Sequence, residues 1–191
     1  MQIGVALIVA LTVLSACAGK PRQAASHEFL DEQTGTTLSV VAKPLVFARE
    51  RTDVAAHARD YATLVAVEVD NSGKYKAYLL LYRWSTVDPR MSPAPDPRAG
   101  ELRILAEGRV IDLMPLEQLP VSLSQRRELH VPDHGDVIAH AYSSDASTLR
   151  FIASSRELSV QMPQEPLETP FSLWEDGRTA LAAFVDRTAI R

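Results

Sequence analysis

The chain has 191 residues, with 20 basic and 24 acidic side chains and a formal net charge of −4. A mildly acidic chain without basic blocks is a poor nucleic-acid binder, because that affinity rests on Lys and Arg neutralising phosphates, and it carries no polybasic patch for a membrane surface. Its one cysteine, Cys17, excludes an internal disulfide and a multi-thiolate metal site.

Residues 3–13 are almost wholly apolar: Ile3, Val5, Ala6, Leu7, Ile8, Val9, Ala10, Leu11 and Val13. A permanent span needs ~20 apolar residues, so this run suits the h-region of a secretory signal peptide. Leu14, Ser15, Ala16 and Cys17 follow it. This end of the chain resembles bacterial lipoproteins, whose lipobox reads Leu, two small residues, then Cys. The resemblance covers about the first seventeen residues. It implies a diacylglyceryl thioether on Cys17, cleavage before it, and acylation of the new amino terminus. Three acyl chains, at ~0.8 kcal/mol per buried methylene, make such attachment effectively irreversible. Ala18, where the family uses Asp for inner-membrane retention, points to the outer membrane. The departure from the pattern is an n-region without Lys or Arg, since Gln2 and Gly4 are neutral.

The expected organisation is a signal peptide over 1–16, a lipidated cysteine and flexible tether over 17–34, and one globular domain over 35–191. The tether is rich in Ala, Gln, Ser, Gly and charge and can reach at most ~60 Å, with Phe29 and Leu30 as candidates for the start of the fold. A body of this size should bury ~70% of its unfolded surface in one core.

Residues 36–41 and 45–49 read as strands, separated by Lys43-Pro44. Residues 52–60 read as a short helical turn capped by Thr52 or Asp53. The strongest signal runs over 61–86. Thr63, Val65, Val67 and Val69 alternate with their neighbours, Asn71-Ser72-Gly73-Lys74 supplies a turn, and Tyr78, Leu80, Tyr82 and Trp84 share a face on the return strand. Ala77, Leu79 and Leu81 make the opposite face apolar too, which predicts a central strand covered on both sides. Residues 87–100 carry Pro89, Pro93, Pro95 and Pro97 and read as a loop.

A second hairpin is expected around Glu107-Gly108, pairing Leu102, Ile104 and Leu105 with Val110, Ile111 and Leu113. Strands are expected at 137–142, 157–162 and 171–174. Two late helices follow from Ser144 as a cap ahead of Leu149, Ile152 and Ala153, and from Asp176 ahead of Leu181, Phe184, Val185 and Thr188. The fold class is therefore β-rich α+β: an antiparallel sheet or sandwich with two late helices packed on it.

Candidate chemistry is sparse. His130, His134 and His140 lie within eleven residues of one another, near Asp133 and Asp136. Imidazoles and carboxylates suit zinc, and three ligands could activate water, but no His-Glu-x-x-His spacing is present. Neither a Gly-x-Ser-x-Gly elbow nor a phosphate-cradling glycine loop occurs. The carboxylate pairs Asp31–Glu32 and Glu165–Glu168 sit in polar segments. Arg49, Arg51, Arg59 and Asp60 read as an exposed ion-pair network, with a patch for a carboxylate or phosphate ligand as the alternative. Tyr61, Tyr75, Tyr78, Tyr82 and Trp84 form an aromatic zone expected to be core, with Trp84 nearest a surface.

These features lead to one expectation and two rivals. The expected protein is a non-enzymatic, periplasm-facing interaction or assembly module held at the outer membrane by lipid on Cys17, with no cofactor. It would touch an envelope protein through a sheet edge or the 87–100 loop. The first rival is a metal-dependent envelope hydrolase using His130, His134 and His140. The second is a small-ligand binder near Trp84.

Overall fold

The computed structural model describes residues 25–88, 100–124, 127–134, 137–163 and 169–188. The signal peptide, Cys17, the first part of the tether, most of the proline-rich loop and the Glu165–Glu168 pair lie outside the described residues. Among the described residues, ten strands form one antiparallel sheet, accompanied by two helices. This is the β-rich α+β fold that the strand periodicity and the late amphipathic segments imply. No helix among the described residues is long and apolar enough to cross a membrane.

Strands β1 (Ser26–Asp31), β2 (Thr36–Val41) and β3 (Leu45–Glu50) lead into the long pair β4 (Arg59–Asn71) and β5 (Lys74–Ser85). β1 lies inside the stretch read from the sequence as tether. It is held by pairing along its whole length, from Ser26 opposite Val41 to Asp31 opposite Thr36. The residues 52–60 also differ from expectation. They form tight turns, with the Arg51 carbonyl accepting from Val54 and Ala55 and the Arg51 N–H donating to Ala58. Ala55 and Ala56 are exposed, so no helical face is buried there, and β4 begins at Arg59.

β4 and β5 pair without a break from Asp60–Ser85 to Asn71–Lys74. The turn between them needs positive φ at both central residues. Ser72 has φ 54° and Gly73 φ 83°, and Asp70 accepts from the Gly73 N–H at 2.7 Å. The other edge of β4 is shared: its first half pairs with β3 and its second half with β2.

Beyond the proline-rich loop come β6 (Leu102–Ala106), β7 (Arg109–Leu113), β8 (Ile138–Ser144), β9 (Leu158–Gln161) and β10 (Phe171–Glu175). β6 and β7 pair in the expected register, Leu102 opposite Leu113 and Ile104 opposite Ile111. From β3 the sheet continues through β10, β9, β6 and β7; from β5 it continues to β8. The Leu116 N–H donates to the Ala141 carbonyl at 2.8 Å, so the chain just past β7 reaches β8 and the sheet curls round on itself.

The concave face carries Phe47, Leu64, Leu81, Ile104, Phe171 and Tyr142, all buried. The opposite face of β4 and β5, with Val65, Leu80 and Tyr82, is buried as well, as two-sided apolar patterning requires. Trp84 on that face stacks on His134, which places the segment carrying Leu129 over it. Burying each such large side chain contributes about 1.5–3 kcal/mol.

Helices α1 (Ala146–Ser154) and α2 (Arg178–Thr188) pack on each other and bury Leu149, Ile152, Leu181, Phe184 and Val185. The cap of α1 is Asp145, whose carboxylate accepts from the Thr148 N–H at 2.8 Å. Ser144, the residue expected to cap it, is still in β8 opposite Ala77. Asp176, the residue expected to cap α2, accepts from the Arg178 N–H at 2.9 Å, but the first helical carbonyl is that of Gly177, which accepts from the Leu181 N–H, so Asp176 stands one residue ahead of the cap position.

Candidate functional site

One end of the sheet gathers most of the molecule's polar and aromatic chemistry. There the register sets Ala48 opposite Tyr61 and Tyr61 opposite Trp84, and one position on it sets Arg49 opposite Asp60 and Asp60 opposite Ser85. Successive strand residues point to opposite faces, so charges occupy the concave face and aromatics the convex one.

On the concave face Asp60 receives Arg49 at 2.8 Å, Arg51 at 3.2 Å and the Ser85 hydroxyl at 2.7 Å. Arg51 also grips Asp53 at 2.9 Å. That hydrogen bond raises the Arg51 pKa further, with the Asp60 carboxylate adding to it, and the Arg51 guanidinium holds Asp53 below the usual carboxylate range. Arg49 is 6% exposed and lies over the Phe171 ring, 4.2 Å from its centroid. Arg83, 4% exposed, sits on the same face. The ion-pair network expected from the sequence is present, but much of it is inside the protein.

On the convex face the rings form a row. Tyr61 stacks on Trp84 with centroids 4.0 Å apart and planes 7° from parallel, and His134 stacks on Trp84 at 4.6 Å. The Trp84 indole N–H donates to the Thr63 hydroxyl at 3.3 Å. Tyr61 also meets Trp174 edge-on at 6.4 Å, and the Arg59 guanidinium lies 4.7 Å from the Trp174 ring centroid. Arg59 is itself held by Glu50 at 3.2 Å.

Trp84, the aromatic expected nearest a surface, is stacked between two rings. The residue that reaches solvent is Trp174, 53% exposed. A β-bulge in β10 between Leu173 and Glu175 presents it; bulges commonly re-aim a side chain in this way. Strand alternation over 171–174 gave no sign of it. The available signal was a lone tryptophan beside Glu175, Asp176 and Gly177, at the end of a strand too short to bury it.

The three histidines are not brought together. His130 Nε2 lies 2.7 Å from the Val41 carbonyl oxygen, and His134 is on the convex face against Trp84. His140 pairs with Leu81 in register and so points to the concave side. A β-carbon at Gly100 would lie 2.7 Å from its Nδ1 and 2.9 Å from Pro115, so only glycine fits there. Burial, and then the nearby Arg83, lower the His140 pKa, and its Nε2 has no hydrogen-bond partner among the described residues. Among those residues no group of three or more His, Cys, Asp or Glu is placed to hold a metal.

A groove of about 540 Å³ opens at the opposite end of the sheet, lined by Glu68, Tyr75, Tyr78, Ser143, Ser144 and Asp145 among others. Lys76 and Thr188 line it as well. The buried Asp31 accepts from the Gln33 N–H and the Thr34 hydroxyl, while its sequence neighbour Glu32 is exposed. Asp31 therefore closes a turn, and the two carboxylates do not face one another. Comparison with known proteins finds no matching family model, no matching curated protein and no matching solved structure.

Proposed function

We propose that this chain is a bacterial lipoprotein whose periplasm-facing domain binds an envelope protein without catalysing a reaction, anchored to the outer membrane through lipid on Cys17. The Leu14-Ser15-Ala16-Cys17 sequence, closing an uncharged apolar run, supports the anchor. The observation that carries the binding reading is Trp174. Half of its surface is in solvent, and its orientation is fixed by Tyr61 at its ring and Arg59 above it.

A large aromatic held rigid before binding loses little conformational freedom on contact, which is why tryptophan and arginine dominate binding hot spots. The charges nearby are mostly paired, Arg59 with Glu50 and Arg51 with Asp53. A partner with an apolar pocket and a polar rim matches that surface. Tethering at the membrane raises the effective concentration near such a partner.

The test is in-cell crosslinking of the wild-type chain and of Trp174→Ala, followed by mass spectrometry. The expected result is one dominant envelope protein, captured about tenfold less by Trp174→Ala, as loss of a hot-spot side chain gives. Equal capture by both chains removes Trp174 from the interface. Failure of palmitate to enter the wild-type chain, or equal entry into Cys17→Ser, removes the anchor.

A further inference from the structure

We infer that the protein partner meets Trp174 with a basic face, an apolar slot ringed by Lys or Arg. This deepens the binding reading above and rests on it. The basis is which member of each ion pair reaches solvent. Arg59 and Glu50 lie opposite one another in β3–β4, and the Arg59 side chain is 23% exposed against 67% for Glu50. Arg51 and Asp53 repeat the order in the turns between those strands, at 12% and 55%. Glu175 is exposed and has no ion-pair partner among the described residues. It lies opposite Val46, and Ala48 lies opposite Tyr61. Val46, Ala48 and Glu50 alternate onto one face, so Glu50 and Glu175 project from the convex side with Tyr61.

The asymmetry comes from the shape of arginine. Its guanidinium lies flat on a ring, as Arg59 does over Trp174, or bridges two carboxylates, as Arg51 does between Asp53 and Asp60. Both roles draw the cation inward and leave the carboxylate outside. Each pair is neutral in sum, but its negative end points to solvent. At physiological salt a charge acts over only ~8 Å, so the outer member sets the sign that an approaching surface meets. Asp176, next to Glu175 in sequence, is taken by Arg178 at 2.6 Å and adds no net charge. Trp174 therefore stands among carboxylates. Lys or Arg around the partner's slot is drawn to that field, and Asp or Glu there is repelled.

The experiment uses the full-length chain in isolated cell envelopes, with a photo-crosslinking amino acid at Ser172. That position is exposed, lies opposite Ala48 and leaves Trp174 in place. The protein adduct should fall about threefold in Glu175→Gln and about tenfold in Glu175→Lys, and should weaken as sodium chloride is added. Glu32→Lys, which reverses an exposed acid at the other end of the sheet, should leave it unchanged. If Trp174→Ala removes the adduct while Glu175→Lys and salt leave it as it was, the binding reading stands and the basic face is wrong. A stronger adduct from Glu175→Lys, or equal losses from Glu175→Lys and Glu32→Lys, also overturns the basic face. If the wild-type chain gives no adduct, or Trp174→Ala gives the same one, the binding reading falls and this inference with it.

Discussion

The two ends of the β4–β5 hairpin are made from one continuous ladder but hold their side chains differently. At the Tyr61–Trp84 end every large group is fixed by another: rings stack on rings, Arg59 covers Trp174, and Asp60 collects Arg49, Arg51 and the Ser85 hydroxyl. At the Asn71–Lys74 end Leu30 and Tyr75 are partly exposed on one face of the sheet, and Lys74 and Lys76 are exposed on the other. The first arrangement suits selective recognition, because a rigid surface loses little entropy on binding.

The sharpest way to break this contrast is to remove one carboxylate at each end. Asp60→Ala leaves Arg49 buried beside a vanished partner and should cost about 3–5 kcal/mol in urea unfolding, as loss of one member of a buried pair does. Asp70→Ala removes one hydrogen bond to an exposed turn and should cost about 1 kcal/mol. Similar costs at the two ends would contradict the difference in rigidity.

Trp174→Ala should next reduce partner capture about tenfold, while unfolding changes by about 1 kcal/mol or less, the value of an exposed cation–π contact. A large loss of stability would make Trp174 structural.

His140 gives a pH test of the concave face. Burial lowers its folded pKa below the unfolded value of 6.5, with Arg83 contributing. Below 6.5 the unfolded chain therefore takes up a proton that the folded chain refuses. Stability should be fully present above that pH, fall as the pH drops toward the folded value, and level off beneath it. His140→Gln should flatten this part of the profile measured by thermal unfolding. An unchanged slope would place the relevant proton elsewhere. The smallest effect is expected from Leu30→Ser, which should alter stability by no more than about 0.5 kcal/mol, as for an exposed position.

Much of the fold was legible because it follows from local rules. The apolar alternation of β4 and β5, the Ser72-Gly73 and Glu107-Gly108 turns and the Leu181–Phe184–Val185 face of α2 all read directly from residue spacing. Thr52 to Asp60 read as a helix because alanines favour one, but a hairpin loop with no core to face has no reason to complete it. β1 read as tether since its sequence is polar; only pairing with β2 makes it a strand. The candidate site was half legible. Arg49, Arg51 and Asp60 are near in sequence, so their cluster was visible. The burial of Arg49, the sandwiching of Trp84 and the bulge that exposes Trp174 depend on which strand lies next to which, and spacing carries no such information. The separation of His134 from His140 likewise depends on the two sitting on opposite faces of one sheet.

The most direct measurement puts a photo-crosslinking amino acid at position 174 of the full-length chain in living cells. The expected result is a discrete envelope-protein adduct from 174 that weakens in Cys17→Ser, where the anchor is lost. No protein adduct from 174 would contradict the binding role of Trp174, and an adduct that survives Cys17→Ser unchanged would contradict the contribution of the anchor.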